Sequence, residues 1–420
     1  MHIVALNHVY WPNSAATAQL LTELAEGLAA RGHEVTVIAR ADSPRDPADG
    51  LRNGVRIVRV RDSGLGKTKL WRRAADYASF YAGALKALVA LDRKPDVFMA
   101  LTTPPLIALA AQGAALFRKT PVVSVVQDLY PDVAVALGAI PRGSLFHRAF
   151  AEATRLSFSR SAAIVTLSDA MRRRVLAYGA APERVTTIAN WALSELEATP
   201  PTPEVGAEAR IRYGLGDRFV VMYSGNIGAG HQFDTFIAAA KELRDDTNIV
   251  FCVVGDGVRR PEIEEAVRRD GLENVRLMPL APREFLAESL GAADVHVVTL
   301  RDDMAGLIVP SKLYGIFAAA KACLFIGPAE ADVADAVKRA DAGGAFVHGD
   351  VAGVVGWLRQ VASMPDGGKA LGANGRRYLE AECSRHGAIL AYERVLAEAA
   401  GQPIPNTNAA DTGLAGRSAS

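Results

Sequence analysis

Cysteine is scarce in this sequence, which has only Cys252, Cys323 and Cys383 in 420 residues. The three are far apart, and none has a second cysteine at a metal-binding spacing. They therefore predict buried thiols in a reducing compartment. This scarcity excludes a disulfide framework and a cysteine-ligated zinc site.

Long apolar runs are also missing. The longest, residues 97–117, is interrupted by Thr102-Thr103-Pro104-Pro105. A Pro-Pro pair ahead of a helical pattern predicts a strand, a turn and a helix instead of a membrane span. The start, residues 1–6, has no basic leader and too short an apolar run for a signal peptide. We therefore expect a cytoplasmic protein.

Common catalytic signatures are absent too. The sequence has no His-x-Glu-x-x-His cluster, no Ser-His-Asp order and no dense group of carboxylates, so it predicts neither a metal site nor a covalent nucleophile. Any chemistry would then depend on positioning and electrostatics. The formal net charge is only +1, and no nucleic-acid partner is expected. Residues 1–200, however, hold 24 Lys or Arg against 17 Asp or Glu, so the first half is the one expected to meet an anionic surface.

Strand and helix patterns alternate in two successive halves. The first half predicts strands at 2–7, 34–38, 55–60, 97–101, 122–126 and 163–167. After a proline-rich linker at 190–205, strands are predicted at 219–223, 249–255, 275–278 and 295–299. Each strand is apolar throughout, which is typical of parallel sheets covered on both faces. We predict an α/β protein with two Rossmann-like domains and a ligand cleft at the carboxyl ends of the strands.

A long helical pattern at 378–399 follows the second half, and the residues after it have the composition of a disordered tail. The predicted division is a first domain at 1–195, a second domain at 196–375, a C-terminal helix at 376–400 and a tail at 401–420.

The segment from Gly306 to Gly315 predicts a turn that runs into a buried helix. Pro310 sets the entry, and the hydroxyl of Ser311 is expected to cap the helix. The N–H groups at a helix start carry partial positive charge and Lys312 adds a full one, so the segment predicts a phosphate site. An ordinary capped core helix with a solvated lysine fits the same residues.

Two glycine-rich turns follow strands of the second half. In the turn at 224–231, backbone N–H groups could approach phosphate oxygens, and His231 could donate to a phosphate. Gly255-Asp256-Gly257 closes the next strand, either as a simple turn or as the floor beneath a nucleotide. Tight packing alone would also explain these glycines.

Asp128 follows the strand at 122–126, where a carboxylate of the cleft would lie. It could equally cap the helix that follows.

The segment at 67–73 combines cations with an aromatic residue and precedes further aromatic residues at helical spacing. Such a segment can lie in a membrane interface and contact a lipid acceptor. It could equally be an amphipathic helix packed on its own domain. The residues concerned are Lys67, Lys69, Trp71, Arg72 and Arg73.

In this order, the motifs resemble the GT-B glycosyltransferases of glycosyltransferase family 4. Within it they are most similar to the bacterial group that includes L-fucosamine transferases of O-antigen and polysaccharide synthesis. The resemblance runs from Ile3 to about Leu396. Its marks are Trp11-Pro12, Arg31-Gly32-His33-Glu34-Val35, Thr103-Pro104-Pro105, Gln127-Asp128-Leu129-Tyr130-Pro131-Asp132, Asn190-Trp191, Tyr223-Ser224-Gly225-Asn226-Ile227-Gly228, Gly255-Asp256-Gly257, Ala293-Asp294-Val295 and Pro310-Ser311-Lys312-Leu313-Tyr314-Gly315.

The resemblance implies a GT-B fold, in which two Rossmann-like domains face each other across a cleft and the last helix crosses back to the first domain. It implies a retaining transferase that uses a nucleotide diphosphate sugar without a metal or other cofactor. Asp128 and Lys312 are the implied catalytic residues. The implied donor-binding residues are Gly225, Asn226, Gly228, His231, Gly255, Asp256, Gly257, Pro310, Ser311, Lys312 and Leu313.

The sequence departs from the family pattern at several of these positions. Many relatives carry two glutamates that bracket seven residues near the donor sugar. Here the second position falls at Gly315, and the nearest upstream acid, Asp303, is out of that spacing. A histidine common in relatives is replaced by Gln127.

We therefore predict a cytoplasmic glycosyltransferase at the inner membrane surface. It would move a sugar from a UDP-N-acetyl-6-deoxyhexosamine, such as UDP-L-FucNAc, to a lipid-linked sugar acceptor in O-antigen or exopolysaccharide synthesis. Two alternatives stay open: a UDP-sugar epimerase of the same fold, and a non-catalytic partner subunit.

Overall fold

A computed structural model of the protein describes residues 1–41, 49–65, 70–198 and 200–403. The first half contains strands β1 His2–Leu6, β2 Glu34–Arg40, β3 Asp49–Arg52, β4 Val55–Val60, β5 Val97–Ala100, β6 Val122–Val126, β7 Ala163–Thr166 and β8 Val185–Thr187. Its helices are α1 Ala16–Ala30, α2 Leu70–Val89, α3 Ile107–Arg118, α4 Asp132–Ala136, α5 Leu145–Arg160, α6 Asp169–Ala177 and α7 Ser194–Ala198.

The second half contains strands β9 Phe219–Ser224, β10 Ile249–Val254, β11 Val275–Met278, β12 Val295–Thr299, β13 Ala322–Ile326 and β14 Gly343–Phe346. Its helices are α8 Pro203–Arg212, α9 Asp234–Glu242, α10 Arg260–Asp270, α11 Leu286–Gly291, α12 Lys312–Ala318, α13 Asp332–Arg339, α14 Val351–Ser363, α15 Lys369–Glu382 and α16 Arg385–Ala400.

Within the described residues the strands form two sheets. The first has the order β3-β4-β2-β1-β5-β6-β7-β8, in which only the β3–β4 pair is antiparallel, and the second is parallel with the order β11-β10-β9-β12-β13-β14. Both orders reverse direction next to the first strand of their domain, which opens a crevice at the carboxyl ends of the strands. The predicted α/β class with two parallel-sheet domains is confirmed.

The first sheet is buried because helices cover both of its faces. Val4, Leu6 and Phe98 pack under α2 and α3, whereas Ile3 and Ala5 pack under α1 and α16. Alternate residues of one strand point to opposite faces, so a strand covered twice is apolar at every position.

The chain passes between the domains differently from the prediction. The expected linker at 190–205 contains α7 and the start of α8, and Trp191 within it is buried, with Nε1 donating to Glu23 Oε2 at 2.9 Å. The expected continuous helix at 378–399 is wrong, because it stops at Glu382 and begins again at Arg385. Ser384 caps the new helix by accepting the N–H of Gly387 at 3.2 Å, as a short polar residue does at a helix start.

The break at Ser384 is where the chain changes domain. Helix α15 packs on α12 and β13 of the second domain, and α16 packs on the core of the first domain. Glu393, buried in α16, accepts hydrogen bonds from Arg31 Nε at 2.9 Å and from His33 Nε2 at 2.6 Å. This ion-paired contact holds α16 against the first domain. Residues 404–420 of the predicted tail lie outside the described residues.

Candidate active site

Lys312 is the first residue of α12, and its side chain runs across the glycine turn that follows β9. A Cβ atom added at Gly225 would lie 2.8 Å from Lys312 Cε, closer than real Cβ atoms come. Gly225 also has φ +122°, in a region that favours glycine. Gly225 is therefore needed to let the lysine side chain pass.

The Lys312 ammonium group is held by neutral acceptors. Its Nζ lies 3.1 Å from the carbonyl oxygen of Asn226 and 3.4 Å from His231 Nε2, and 5.0 Å above the centre of the Tyr223 ring. Among the described residues no carboxylate pairs with it. Burial lowers the pKa of Lys312 to about 8, so the group still carries most of its charge at neutral pH.

His231 orients that lysine. Its Nδ1 lies 2.6 Å from the carbonyl oxygen of Thr299, which can only accept, so Nδ1 carries the proton and Nε2 offers a lone pair to Lys312. Burial, with the nearby charges of Lys312 and Arg259, lowers the pKa of His231 to about 3. The imidazole is thus neutral, and both of its ring nitrogens are engaged within the protein. That His231 donates to a phosphate stays a prediction.

The glycines after β9 and β10 serve the close approach of two loops. A Cβ at Gly255 would overlap the carbonyl oxygen of Gly225, and one at Gly257 would overlap that of Ile227. The amides of Gly225 and Ile227 donate to Val254 and Asp256 at 2.9 and 2.8 Å. These two amides are therefore engaged between the loops, and the donor-binding role of Gly225 stays a prediction.

Gly228 and Ala229 are half-buried in these loops, whereas Asp256 is exposed. The amides of Gly228 and Ala229 have no backbone acceptor in the described part of the chain, so they are available to an anion. The exposed carboxylate of Asp256 accepts the N–H of Gly257 at 2.7 Å, as in a simple turn.

Asp128 lies at the contact between the two domains. Its backbone pairs with Ile308 in an isolated antiparallel bridge, and Leu129 N–H donates to Leu307 carbonyl at 2.9 Å. Lys312 follows only four residues after Ile308, so the bridge brings the Asp128 loop to the segment that enters α12. Asp128 does not cap a helix, since the residue before α4 is Pro131. Burial raises the pKa of the Asp128 carboxyl to about 6.

The start of α12 differs from the predicted cap. Ser311 has helical backbone angles, φ −66° and ψ −13°, and its hydroxyl makes no capping hydrogen bond. A capping residue normally has extended angles, which point its hydroxyl back at the first turn, so the predicted Ser311 cap is wrong. Pro310 is buried, and Leu313 belongs to the core.

A cleft of about 420 Å³ opens on the other side of α12. Val309, Leu313 and Phe317 line it together with Ser168 and Asp169 of the first domain. Lys312 does not line this cleft, so the helix separates it from the site around the ammonium group.

Arg301 is a site residue that sequence reasoning missed. Its N–H donates to Gly230 carbonyl at 2.9 Å, and its guanidinium donates to Ala229 and Ala136 carbonyls at 3.4 and 3.2 Å. It thereby joins the glycine turn to the first domain. Arg301 follows β12 at the carboxyl end of a central strand, and this position in the sequence could have predicted that it belongs to the site.

The structure describes the residues of the predicted membrane or acceptor segment only in part. Lys67 and Lys69 lie outside the described residues, as do the side chains of Trp71 and Arg73, while Arg72 is half-buried at the start of α2. Gly315, at the family's glutamate position, faces Leu196 and Leu290.

The described residues contain neither a membrane-spanning helix nor a metal-binding cluster. No helix there is long and apolar enough to cross a membrane. No three His, Cys, Asp or Glu side chains in that part of the chain are grouped so that they could hold a metal ion.

Two family models match successive parts of the chain. Residues 16–191 match a "Glycosyl transferase 4-like domain" and residues 218–360 match "Glycosyl transferases group 1". The chain belongs to the GT-B glycosyltransferases. The two matched segments coincide with the two parallel sheets, and Lys312 and Asp128 come from different ones.

One relative of this glycosyltransferase is named for the synthesis of a polysaccharide, and another is named only as a probable glycosyltransferase. The chain is 27% identical over 339 residues to a putative colanic acid biosynthesis glycosyl transferase, WcaI, of Escherichia coli K12, covering 76% of this chain and 81% of that protein. It is 26% identical over 242 residues to the probable glycosyltransferase WbjE of Pseudomonas aeruginosa, covering 57% and 59%.

Among solved structures, Anabaena HepE in complex with UDP and glucose superposes with a TM-score of 0.72 at 14% identity. The match covers 95% of this chain and 100% of HepE. At that identity the match shows the fold, and it confirms the predicted GT-B architecture.

Proposed function

We propose that this glycosyltransferase takes a sugar from a nucleotide diphosphate sugar and that Lys312 stabilises the departing diphosphate. The observation that supports this most is the fixed, unpaired cation, held by Asn226 carbonyl at 3.1 Å and His231 Nε2 at 3.4 Å. Because both acceptors are neutral, the charge stays available to an anion. An oriented cation stabilises charge that develops in the transition state without further reorganisation.

Asp128 is the proposed general base for the acceptor hydroxyl. Its backbone forms the bridge to Ile308, four residues before Lys312, at the contact between the domains. With a pKa of about 6 it is ionised at neutral pH and still basic enough to accept a proton. In this proposal the second domain binds the donor and the first binds the acceptor.

The finer features of the proposal come from the family resemblance and from the relatives. The reaction would retain the configuration of the donor sugar and need no metal ion. The donor would be a UDP-N-acetyl-6-deoxyhexosamine such as UDP-L-FucNAc, and the acceptor a lipid-linked sugar in O-antigen or exopolysaccharide synthesis. A relative named for colanic acid synthesis and a GT-B neighbour solved with UDP support this direction. The protein would work at the cytoplasmic surface of the inner membrane.

A transfer assay tests the proposal. The purified chain is incubated with a panel of UDP-sugars and a synthetic lipid-diphosphate-linked sugar in the presence of EDTA, and products are identified by mass spectrometry and NMR. We expect one donor to be consumed and its anomeric configuration retained. Lys312→Ala should abolish transfer.

Lys321→Ala is the matched control for that variant. Lys321 is, like Lys312, a half-buried lysine. Desolvation lowers its pKa to about 8, and it donates to the Gly291 carbonyl at 2.8 Å. Its loss should affect stability without removing transfer from the folded protein. A converted free UDP-sugar with no acceptor present would instead indicate an epimerase, and no turnover with any donor would indicate a non-catalytic subunit.

A further inference from the structure

The outer surface of α2, α3 and α5 is unusually apolar for a surface that no other part of the described chain covers. Of the sixteen large apolar side chains that are exposed in the described part of the chain, seven lie on these three helices. Leu116 is 75% exposed and Phe117 is 77% exposed. We call this surface the α2–α3–α5 face; its other exposed apolar side chains are Leu85, Val89, Leu145, Phe146 and Leu156.

The three helices adjoin one another on one face of the first sheet. A Cβ at Gly113 of α3 would lie 3.7 Å from Leu85 of α2. Arg118 at the end of α3 donates to the Leu91 carbonyl at 2.6 Å, just beyond α2. On the other side, Gln112 Nε2 of α3 donates to the Ser157 carbonyl of α5 at 2.7 Å. Exposed apolar clusters of this kind mark interaction sites.

The charge of this face is strongly positive. The three helices contain seven Lys or Arg residues and two acidic ones. Of these acids, Asp76 is buried, and Glu152 is paired with Arg155. Helices α1 and α16, which cover the opposite face of the same sheet, contain two basic and four acidic residues. The positive charge of the first half is therefore concentrated on one face.

We propose that the α2–α3–α5 face docks on an anionic lipid bilayer. Exposed Leu and Phe side chains would enter the acyl boundary while Lys86, Arg148 and Arg160 meet lipid phosphates, the combination by which peripheral helices bind membranes. A second copy of the chain fits less well, because two such faces would place like charges against each other. This inference rests on the proposed function, because a lipid-linked acceptor is what would require the protein to bind a membrane. Its test measures membrane binding and does not depend on glycosyl transfer.

Vesicle co-sedimentation tests it. The full chain should bind phosphatidylcholine vesicles that contain phosphatidylglycerol and bind pure phosphatidylcholine vesicles more weakly. Leu116→Asp with Phe117→Asp should lower partitioning by more than about tenfold, since each removes a large apolar anchor. Lys86→Glu should lower it by about fivefold, only for the anionic vesicles and less at high salt.

The matched control is Ile211→Asp with Val347→Asp. These residues are 82% and 50% exposed, both in the second domain, so their replacement should change partitioning by less than twofold. The inference is overturned if wild type does not bind anionic vesicles, or if the control pair weakens binding as much. It is also overturned if light scattering shows a dimer that Leu116→Asp with Phe117→Asp dissociates. Vesicle binding without any sugar transfer would refute the proposed function and leave this inference standing.

Discussion

Removing the His231 acceptor tests how the Lys312 charge is maintained. In His231→Leu, Lys312 loses the lone pair of Nε2, which lies 3.4 Å away. Hydrogen bonds to charged groups contribute about 1.5–3 kcal/mol, and a bond of 3.4 Å lies at the weak end of that range, about 1.5 kcal/mol. That corresponds to roughly tenfold weaker binding of a nucleotide diphosphate.

The same loss should appear in the pH dependence. A hydrogen bond that the protonated form donates raises the pKa, so its removal should lower the Lys312 pKa below its wild-type value of about 8. Wild-type affinity for UDP should fall as the pH rises through about 8, because the ammonium group then loses its proton. In His231→Leu the fall should come at a lower pH. Calorimetric titration with UDP across this range measures both effects.

His231→Gln is the control, since an amide oxygen can accept from Lys312 while the amide nitrogen donates toward Thr299. In this variant the fall in UDP affinity at alkaline pH should occur near the same pH as in wild type. If the UDP affinity of His231→Leu falls at the same pH as that of wild type and stays within about threefold of it, His231 does not position Lys312. Thermal unfolding of each variant separates this effect from misfolding.

Three further predictions concern stability, each measured by urea unfolding. Asp128→Asn should stabilise the protein by up to about 3 kcal/mol at pH 7.5, because the buried carboxylate, whose pKa is about 6, is ionised there at a cost in free energy. Below about pH 3.5 the carboxyl is protonated in both the folded and the unfolded protein, so the substitution should change the stability by almost nothing. Transfer should fall at least about a hundredfold, and an unchanged rate would remove Asp128 from the reaction. Gly255→Ala should cost about 3 kcal/mol, because the new Cβ overlaps the Gly225 carbonyl at φ +156°. The control is Gly356→Ala in helix α14, where the new Cβ would have no atom within 4 Å and should raise the free energy of unfolding by about 0.5–1 kcal/mol. Equal changes in stability for the two variants would contradict the argument from overlap. Glu393→Gln should cost about 3 kcal/mol, since it leaves Arg31 and His33 without their buried carboxylate, and a loss below about 1 kcal/mol would show that α16 is held by packing alone.

The fold class was predictable because its signals are local. The apolar strands and the glycine at each turn follow from two-sided burial and from backbone geometry, and β1, β2, β6 and β10 lie close to where they were expected. Four strands were not predicted. Strands β3 and β8 are short edge strands, and β14 begins with two glycines that have no strand preference. Strand β13 continues an apolar run from α12, in which periodicity does not separate helix from strand. The predicted continuous helix failed at Ser384, whose capping bond competes with helix continuation.

The site was predictable in its residues and less so in their roles. Lys312 and Gly225 could be named from sequence, but the passage of the lysine across Gly225 is a tertiary contact between distant segments. His231 was expected to bind a phosphate. Its contact with the Thr299 carbonyl, which fixes its tautomer, could not be predicted because the two residues are 68 positions apart in sequence. The bridge between Asp128 and Ile308 likewise joins two domains. Such long-range pairings leave no periodic signal in one sequence.

A crystal structure of the chain with bound UDP would test the central claim most directly. We predict that a β-phosphate oxygen lies about 2.9 Å from Lys312 Nζ, with the amides of Gly228 or Ala229 turned toward the same phosphate. A diphosphate found instead in the cleft of about 420 Å³ beyond Leu313 and Phe317, on the other side of α12, would contradict the account.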